Sequence, residues 1–313
     1  MQAWIARLDR LQQRIGVLAF TYGVVKKFSD DRGGNLCALM TYYGFVSLFP
    51  LLLVLVTVLG YVLAGNPDLQ RRIVDSAFAQ FPIVGDQLQA NVHSLQGHGV
   101  MLLVGVLGTL YGGLGIANVS QHAMNRIWGV PIAARPGFWP RLVRSLAVIL
   151  TFGLAIVLTT IVSGIAAGAN VDSAIRVAVF ALAIVGNFVL FLFMFQVLVA
   201  RHVEWSELWP GAIVASVAWE VVQALGGLYI AHVVQGASQV YGLFALVFGL
   251  FAWFSLLARV VLYSAELNAV RALRLWPRAI GAPFTTADAA ALELYAHMQV
   301  RRAGQRIDVE LTQ

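Results

Sequence analysis

Long uninterrupted apolar runs, separated by short polar stretches, are the dominant pattern along the chain. Six of them, at roughly 36–64, 99–119, 143–168, 174–200, 209–232 and 242–265, reach the about 20 residues a helix needs to cross a bilayer. Within hydrocarbon every backbone N–H and C=O must find a partner inside the protein, which leaves helices or a closed barrel. The short alternating segments of a barrel are absent. The expected fold class is therefore an all-α integral membrane protein with six transmembrane helices and amphipathic helices on both membrane faces.

The polar stretches organise the rest. Residues 1–35 form an N-terminal amphipathic segment, 36–265 the six-helix membrane domain, and 266–313 a C-terminal tail. In the first segment Ile5, Leu8, Leu11, Ile15, Leu18 and Tyr22 recur at helical spacing, while Arg7, Arg10 and Arg14 share another face. Two readings stay open: a helix lying in the membrane interface, or a solvated helix docked on the loops. In the 66–97 loop Ile73, Ala77, Phe81, Val84, Leu88, Val92 and Leu95 keep a helical rhythm across Pro82 and Gly85, which predicts two short amphipathic helices. In the tail Thr285 and Asp288 have capping-box spacing, which predicts a helix running to about Ala303.

Composition agrees with a membrane address. Of 313 residues 59% are hydrophobic and 12% charged, and the mean hydropathy is +0.78; a soluble domain is about 45–50% apolar. The first run begins too late and is too long for a signal peptide, so it is expected to remain as a span. The single cysteine, Cys37, excludes an internal disulfide and a cysteine-based metal site.

Charge orients the helices. All of the 21 Lys and Arg residues except Arg71, Arg72, Arg176 and Arg259 fall in the N-terminal segment, the 120–144 stretch, the 201–208 link or the tail. An even number of spans puts both termini on one side, and the positive-inside rule makes that side the cytoplasm. The net charge of +6 is thus accounted for by topology and anionic headgroups, with no nucleic-acid partner expected.

The chain offers little conventional chemistry. Its six histidines show no HExxH or HxH spacing, and neither a GxxxxGK[ST] loop nor a GxSxG elbow is present. No metal, cofactor or catalytic residue is expected, so the protein is read as a non-enzyme. Gly108 and Gly112, and likewise Gly164 and Gly168, sit four apart in apolar spans, the spacing that lets helices approach closely.

Polar residues inside spans carry the functional signal, because an ionisable group at a helix centre costs about 2.5–3.5 kcal/mol on insertion scales. Glu220 lies near the midpoint of the fifth span. Ser216, Glu220, Gln223 and Gly227 share its face, while Val217, Val221, Leu225 and Leu228 can meet lipid or core. Arg259 lies within the sixth span, with Glu266 two turns on along roughly the same face. At ~1.5 Å per residue Arg259 is roughly 9 Å deep and Glu220 roughly 17 Å, a gap that an arginine side chain can close. A pair that locks spans five and six and a pair that serves transport both fit this pattern. In the first span Pro50 deprives the carbonyl of Val46 of its hydrogen bond, which predicts a kink with Ser47 helping to re-satisfy the backbone. Tyr42 and Tyr43 point about 100° apart, and interface anchoring or ligand contact remains open for each.

Four stretches together resemble the YihY/BrkB family of bacterial inner-membrane proteins: ALMTYYGFVSLFPLLLVL (38–55), NRIWGV (125–130), WPGAIVASVAWEVVQ (209–223) and VYGLFALVFGLFAWFSLLARVVLYSAELNAV (240–270). The resemblance runs from about residue 30 to 275. It implies a six-helix protein of the bacterial cytoplasmic membrane without a settled activity; some members carry names tied to virulence or serum resistance, others an old ribonuclease BN label. One departure is Ser264 before Ala265-Glu266-Leu267, where relatives usually have glycine. The function expected is a transporter or exporter of a lipid, envelope component or small solute, working through the Glu220 and Arg259 polar site. The alternative is a non-transporting scaffold or regulator, with a ribonuclease last. Membrane lipids are the expected partners, and homo-oligomerisation stays open.

Overall fold

A computed structural model describes residues 2–62, 99–167, 173–229, 243–281, 283–302 and 304–307. The helices predicted in the 66–97 loop, and Gly168, lie outside these residues. Among them there is no strand. The helices are α1 (Gln2–Arg14), α2 (Gly16–Asp30), α3 (Gly33–Val62), α4 (Gly99–Ile127), α5 (Phe138–Ala167), α6 (Ser173–Leu198), α7 (Trp205–Tyr229), α8 (Leu243–Ala272) and α9 (Thr286–Met298), with a 3-10 turn at Ile132–Ala134. The helices α4, α5, α6 and α8 contain stretches long and apolar enough to cross a membrane, Leu103–Ile127, Phe138–Ala155, Ala181–Leu198 and Val247–Ala272. The helix α8 continues past the expected edge at residue 265, and α9 stops at Met298, short of Ala303, with its last turn at Gln299.

The six long helices form a ring in chain order: each packs on the next, and α8 closes on α3. The outward surfaces are apolar at mid-height, where Leu107, Leu150, Leu154, Leu182, Val185, Val189, Val217, Val221, Leu225 and Phe248 are all exposed. An exterior of that kind, far larger than the apolar patches of soluble monomers, suits hydrocarbon. The largest core cluster instead lies toward one end, where Phe28, Leu36, Met124, Trp128, Phe195, Leu208 and Leu262 are buried together. This is where α4, α6 and α8 end, where α3, α5 and α7 begin, and where α1, α2 and α9 gather.

The residues of the TYY block serve as a packing ridge. Tyr43, Ser47 and Pro50, at i, i+4 and i+7 on α3, lie against Gly115, Gly112 and Gly108 of the antiparallel α4. A Cβ at Gly108 would stand 2.7 Å from the Pro50 ring; at Gly112 it would run into Ser47 Cβ and backbone, and at Gly115 into the Tyr43 ring. Glycine is required there because no room remains for a side chain. The helix α3 runs through Pro50 as one helix, and Ser47 Oγ donates to the carbonyl of Gly44 at 3.0 Å, not to that of Val46. Tyr42 is exposed on the bundle surface, and Tyr43 is half-buried between Gly115 and an edge-to-face contact with Tyr111.

The other family-like blocks close the end of the bundle. NRIWGV is the C-terminus of α4: the amide of Val130 reaches the carbonyl of Asn125 and that of Gly129 reaches Arg126, with Gly129 at φ 66°, a Schellman turn. Leu294 packs so closely on Gly129 that a Cβ has no space. The WPG of α7 fits Asn268 of α8. Pro210 and Gly211 interrupt the first turns of α7, and Asn268 repairs them by accepting from the Gly211 amide at 2.6 Å and donating to the carbonyl of Leu208 at 2.9 Å. Arg271 donates to Ser206 O at 3.3 Å, the carbonyl that Pro210 leaves without its helical donor. Gly211 lies directly on the backbone of Ser264, so the residue that departs from the family pattern is accommodated from the α7 side.

Gly112→Ala is expected to destabilise the protein by about 1–3 kcal/mol through overpacking against Ser47. Gly153→Ala, with nothing within 4 Å, is expected to be neutral. Thermal unfolding of the two detergent-solubilised variants checks both; equal melting temperatures would remove the α3–α4 seam as a constraint.

Candidate functional site

Two polar constellations stand out, and they differ in kind. The first is a charge network at the crowded end, enclosed at its centre by Lys27, Asp31 and Glu266. Lys27 of α2 has no exposed surface, and its three ammonium protons meet three acceptors: Asp31 Oδ2 at 2.5 Å, Ile127 O at 2.9 Å and Glu266 Oε2 at 3.1 Å. Ile127 O belongs to the last residue of α4, so the cation also sits at the negative end of a helix. In return Arg126 of α4 reaches Asp30 O at the end of α2, and its Nε faces the other oxygen of Asp31 at 3.4 Å.

A second tier joins this one through the tail. Asp288 accepts from Arg278 Nε at 2.6 Å and from Lys26 Nζ at 3.1 Å. Its other oxygen takes the amide of Ala279 at 2.9 Å and the amide of Thr285 at 3.0 Å. Arg278 Nη2 continues to Asp30 at 3.0 Å. Thr285 and Asp288 form the capping box that their spacing predicts. Lys26, Lys27, Arg126 and Arg278 thus stand against Asp30, Asp31, Glu266 and Asp288, a sum of zero charge.

Environment sets the titration of these groups. Burial alone would lower the Lys27 ammonium, but Glu266 and Asp31 more than offset it and hold it above its ordinary value of 10.5. Burial would raise the Asp288 carboxyl, yet the Ala279 amide, the Thr285 hydroxyl and Arg278 hold it well below 3.8. Burial pushes the Tyr295 hydroxyl up, and the nearby Asp31 adds to the effect.

The second constellation lies where α7 packs on α6 in the ring. Glu220 of α7 is half-buried and accepts a 2.6 Å hydrogen bond on Oε1 from Asn187 Nδ2 of α6. Phe152, Phe191 and Trp219 pack edge to face beside it. Ser216, one turn before, is buried and donates to Ile213 O of its own helix at 2.9 Å, while Gln223 is half-buried. Val217, Val221 and Leu225 are exposed, as the division of the helix into two faces predicts.

The structure separates the residues that sequence spacing groups together. Arg259 is exposed and, among the described residues, forms no ion pair with Glu220 or Glu266. Glu266, on roughly the same face of α8, is buried because α2 covers that level with Lys27 and with Phe28 stacked on Tyr263 at 4.1 Å. Of the two carboxylates that the sequence sets near Arg259, Glu220, the one expected to pair with it, bonds to Asn187 instead, and Glu266 belongs to the network around Lys27. Asn187 is the partner the sequence reading missed; an amide in the middle of the apolar run of α6 is the signal for it. No metal-binding cluster of His, Cys, Asp and Glu occurs among the described residues.

A model of the family described as virulence factor BrkB matches residues 24–283. The chain belongs to the BrkB family. It is similar to the inner membrane protein YhjD of Escherichia coli, with 25% identity over 274 residues that cover 81% of each chain. It is also similar to a UPF0761 membrane protein of Photobacterium profundum, with 26% identity over 297 residues covering 90% of this chain and 89% of the relative. No solved structure matches it. The matched region of this BrkB-family chain includes the whole first tier, from Lys27 to Glu266, and ends short of Asp288.

Lys27→Met leaves Asp31 and Glu266 buried without their shared cation, and about 3–5 kcal/mol of stability should be lost. Replacing all three by apolar residues (Lys27→Met, Asp31→Leu, Glu266→Met) should recover most of it; chemical unfolding in detergent measures both. Asp288, whose pKa is depressed by folding, contributes stability that is present above pH 3.8 and lost as pH falls further. Lys27, whose pKa is raised, contributes stability present below pH 10.5 and lost above it. Tail release followed by limited proteolysis should therefore rise at the acid end, and Asp288→Asn should show that release already at neutral pH. An Asp288→Asn tail as protected as wild type would remove the second tier's role.

Proposed function

We propose that this BrkB-family protein is a transporter or exporter of the bacterial inner membrane, handling a lipid, an envelope component or a small solute, with Glu220 and Asn187 as its intramembrane polar site. The observation that carries this reading is the pairing of the Glu220 carboxylate with a neutral amide. A structural charge in an apolar layer is normally neutralised by an opposite charge, as Glu266 is by Lys27. Among the described residues Glu220 has one donor, which orients it and leaves its second oxygen for a proton or for a donor group on a substrate. Gln223 and Ser216 extend the same stripe, and Arg259 is a further cation on the neighbouring helix.

In this reading α3 and α7 complete six spans with the four helices already described, and both termini lie in the cytoplasm. The cations gathered at the network end support that orientation. The protein is not an enzyme: ribonuclease chemistry needs a metal cluster or a paired acid and base beside a basic groove. Membrane lipids are its partners, without nucleic acid.

Reconstitution into liposomes with labelled lipids and candidate solutes tests the proposal. Glu220→Gln and Asn187→Leu should each slow transport about tenfold or more, equivalent to about 1.4 kcal/mol of barrier, while unfolding at wild-type temperature. Arg259→Ala reports whether the second cation takes part. If correctly folded Glu220→Gln protein moves every accepted substrate at wild-type rate, the assignment fails, and a scaffold becomes the better reading.

A further inference from the structure

The N-terminal helix exposes a surface that neither the bundle nor the tail uses. Along α1 and into α2, Trp4, Leu8, Leu11, Ile15 and Leu18 recur at intervals of four and three residues, and all are exposed, Trp4 at 68% and Leu11 at 55%. The stripe survives the break between α1 and α2, because Ile15 N still reaches Leu11 O and Ala19 N reaches Ile15 O. Arg7, Arg10 and Arg14 are exposed beside it and form no ion pair among the described residues. The one acid of α1, Asp9, is buried, where it accepts from Ile280 N at 3.0 Å and from Gln13 Nε2 at 2.9 Å. Docking on the tail therefore removes the negative charge from the exposed surface and leaves apolar side chains flanked by arginines.

We propose that this surface of α1 lies in the interface of an anionic phospholipid bilayer, with the Trp4–Leu18 stripe in the acyl boundary and Arg7, Arg10 and Arg14 on the headgroups, held in that position by the Asp9–Ile280 contact with the tail. Charge complementarity selects the occupant. An amphipathic helix with a basic flank and no exposed acid gains from negatively charged headgroups as well as from burial of its apolar face. A second copy of the chain would bring a second row of arginines against the first. The inference is independent of whether the protein transports anything.

The test uses the full-length protein in nanodiscs. An NBD probe is attached at Leu8→Cys or Leu11→Cys, with Gln13→Cys as the off-stripe reference; Cys37 is buried and out of the probe's reach. Discs contain phosphatidylcholine alone or with phosphatidylglycerol, and doxyl-labelled lipid and aqueous iodide serve as quenchers. Doxyl quenching at positions 8 and 11 should exceed that at 13 by about threefold in anionic discs. Exchange of Arg7, Arg10 and Arg14 for Gln should reduce it in anionic discs and leave neutral discs unchanged. Asp9→Leu, which leaves the Ile280 amide without its acceptor, should lower it in both, with the melting temperature reporting that the bundle stays folded. Iodide quenching without doxyl quenching at positions 8 and 11 would put the stripe in water and overturn the proposal. Protection from both quenchers would put a protein partner there and overturn it equally.

Discussion

The arrangement depends on one buried ammonium. Lys27 belongs to a helix outside the ring, yet it touches the end of α4, the face of α8 and the acid one turn ahead on α2. Removing an unpaired ammonium from water costs several kcal/mol, so the structure is stable only when every proton of that group has an acceptor. That condition fixes three helices relative to one another more tightly than apolar packing would, since leucine and alanine surfaces tolerate small slides and a three-way charge contact does not. The reciprocal contact of Arg126 with Asp30 O and Asp31 repeats the condition from the α4 side.

Satisfying Lys27 in this way has consequences along the chain. Glu266 must face α2, which turns the AELNA block so that Asn268 meets the Pro210–Gly211 interruption of α7. Asp31 must follow Lys27 by one turn, which ends α2 and brings Arg32 to φ 55° before α3 begins. The helix α3 then descends with Tyr43, Ser47 and Pro50 against the glycines of α4. Blocks that look unrelated in sequence are thus successive consequences of one enclosed charge and of the close approach that glycine allows.

Much of the fold was legible because membrane helices announce themselves by length and apolarity, and because the Thr285–Asp288 cap is a local signal three residues long. The site was legible only in part. Glu220 and Glu266 stand out as acids in apolar helices, but their partners are set by rotations and offsets that spacing does not encode. Arg259 shares a nominal face with Glu266, yet α2 covers one level of α8 and not the other. Lys27 is 239 positions from Glu266, so no pattern within one helix joins them, although its spacing to Asp31 is a readable i, i+4 pair. Asn187 was missed because attention to charge passes over amides, even though an amide in hydrocarbon also needs a partner.

The two constellations differ in the charge that faces them. A network in which four basic side chains face four acidic ones at short range produces little field beyond its own radius. Glu220 is the opposite case: its described partner is a neutral amide, and no opposite charge faces it among the described residues. If the enclosed network were the working site, opening it would require four helices to separate. In the proposed reading a change at Glu220 involves the α6–α7 contact, where its hydrogen bond to Asn187 and the edge-to-face pair of Phe191 and Trp219 lie. On the proposed reading the charge network holds one end of the bundle while the contact around Glu220 changes.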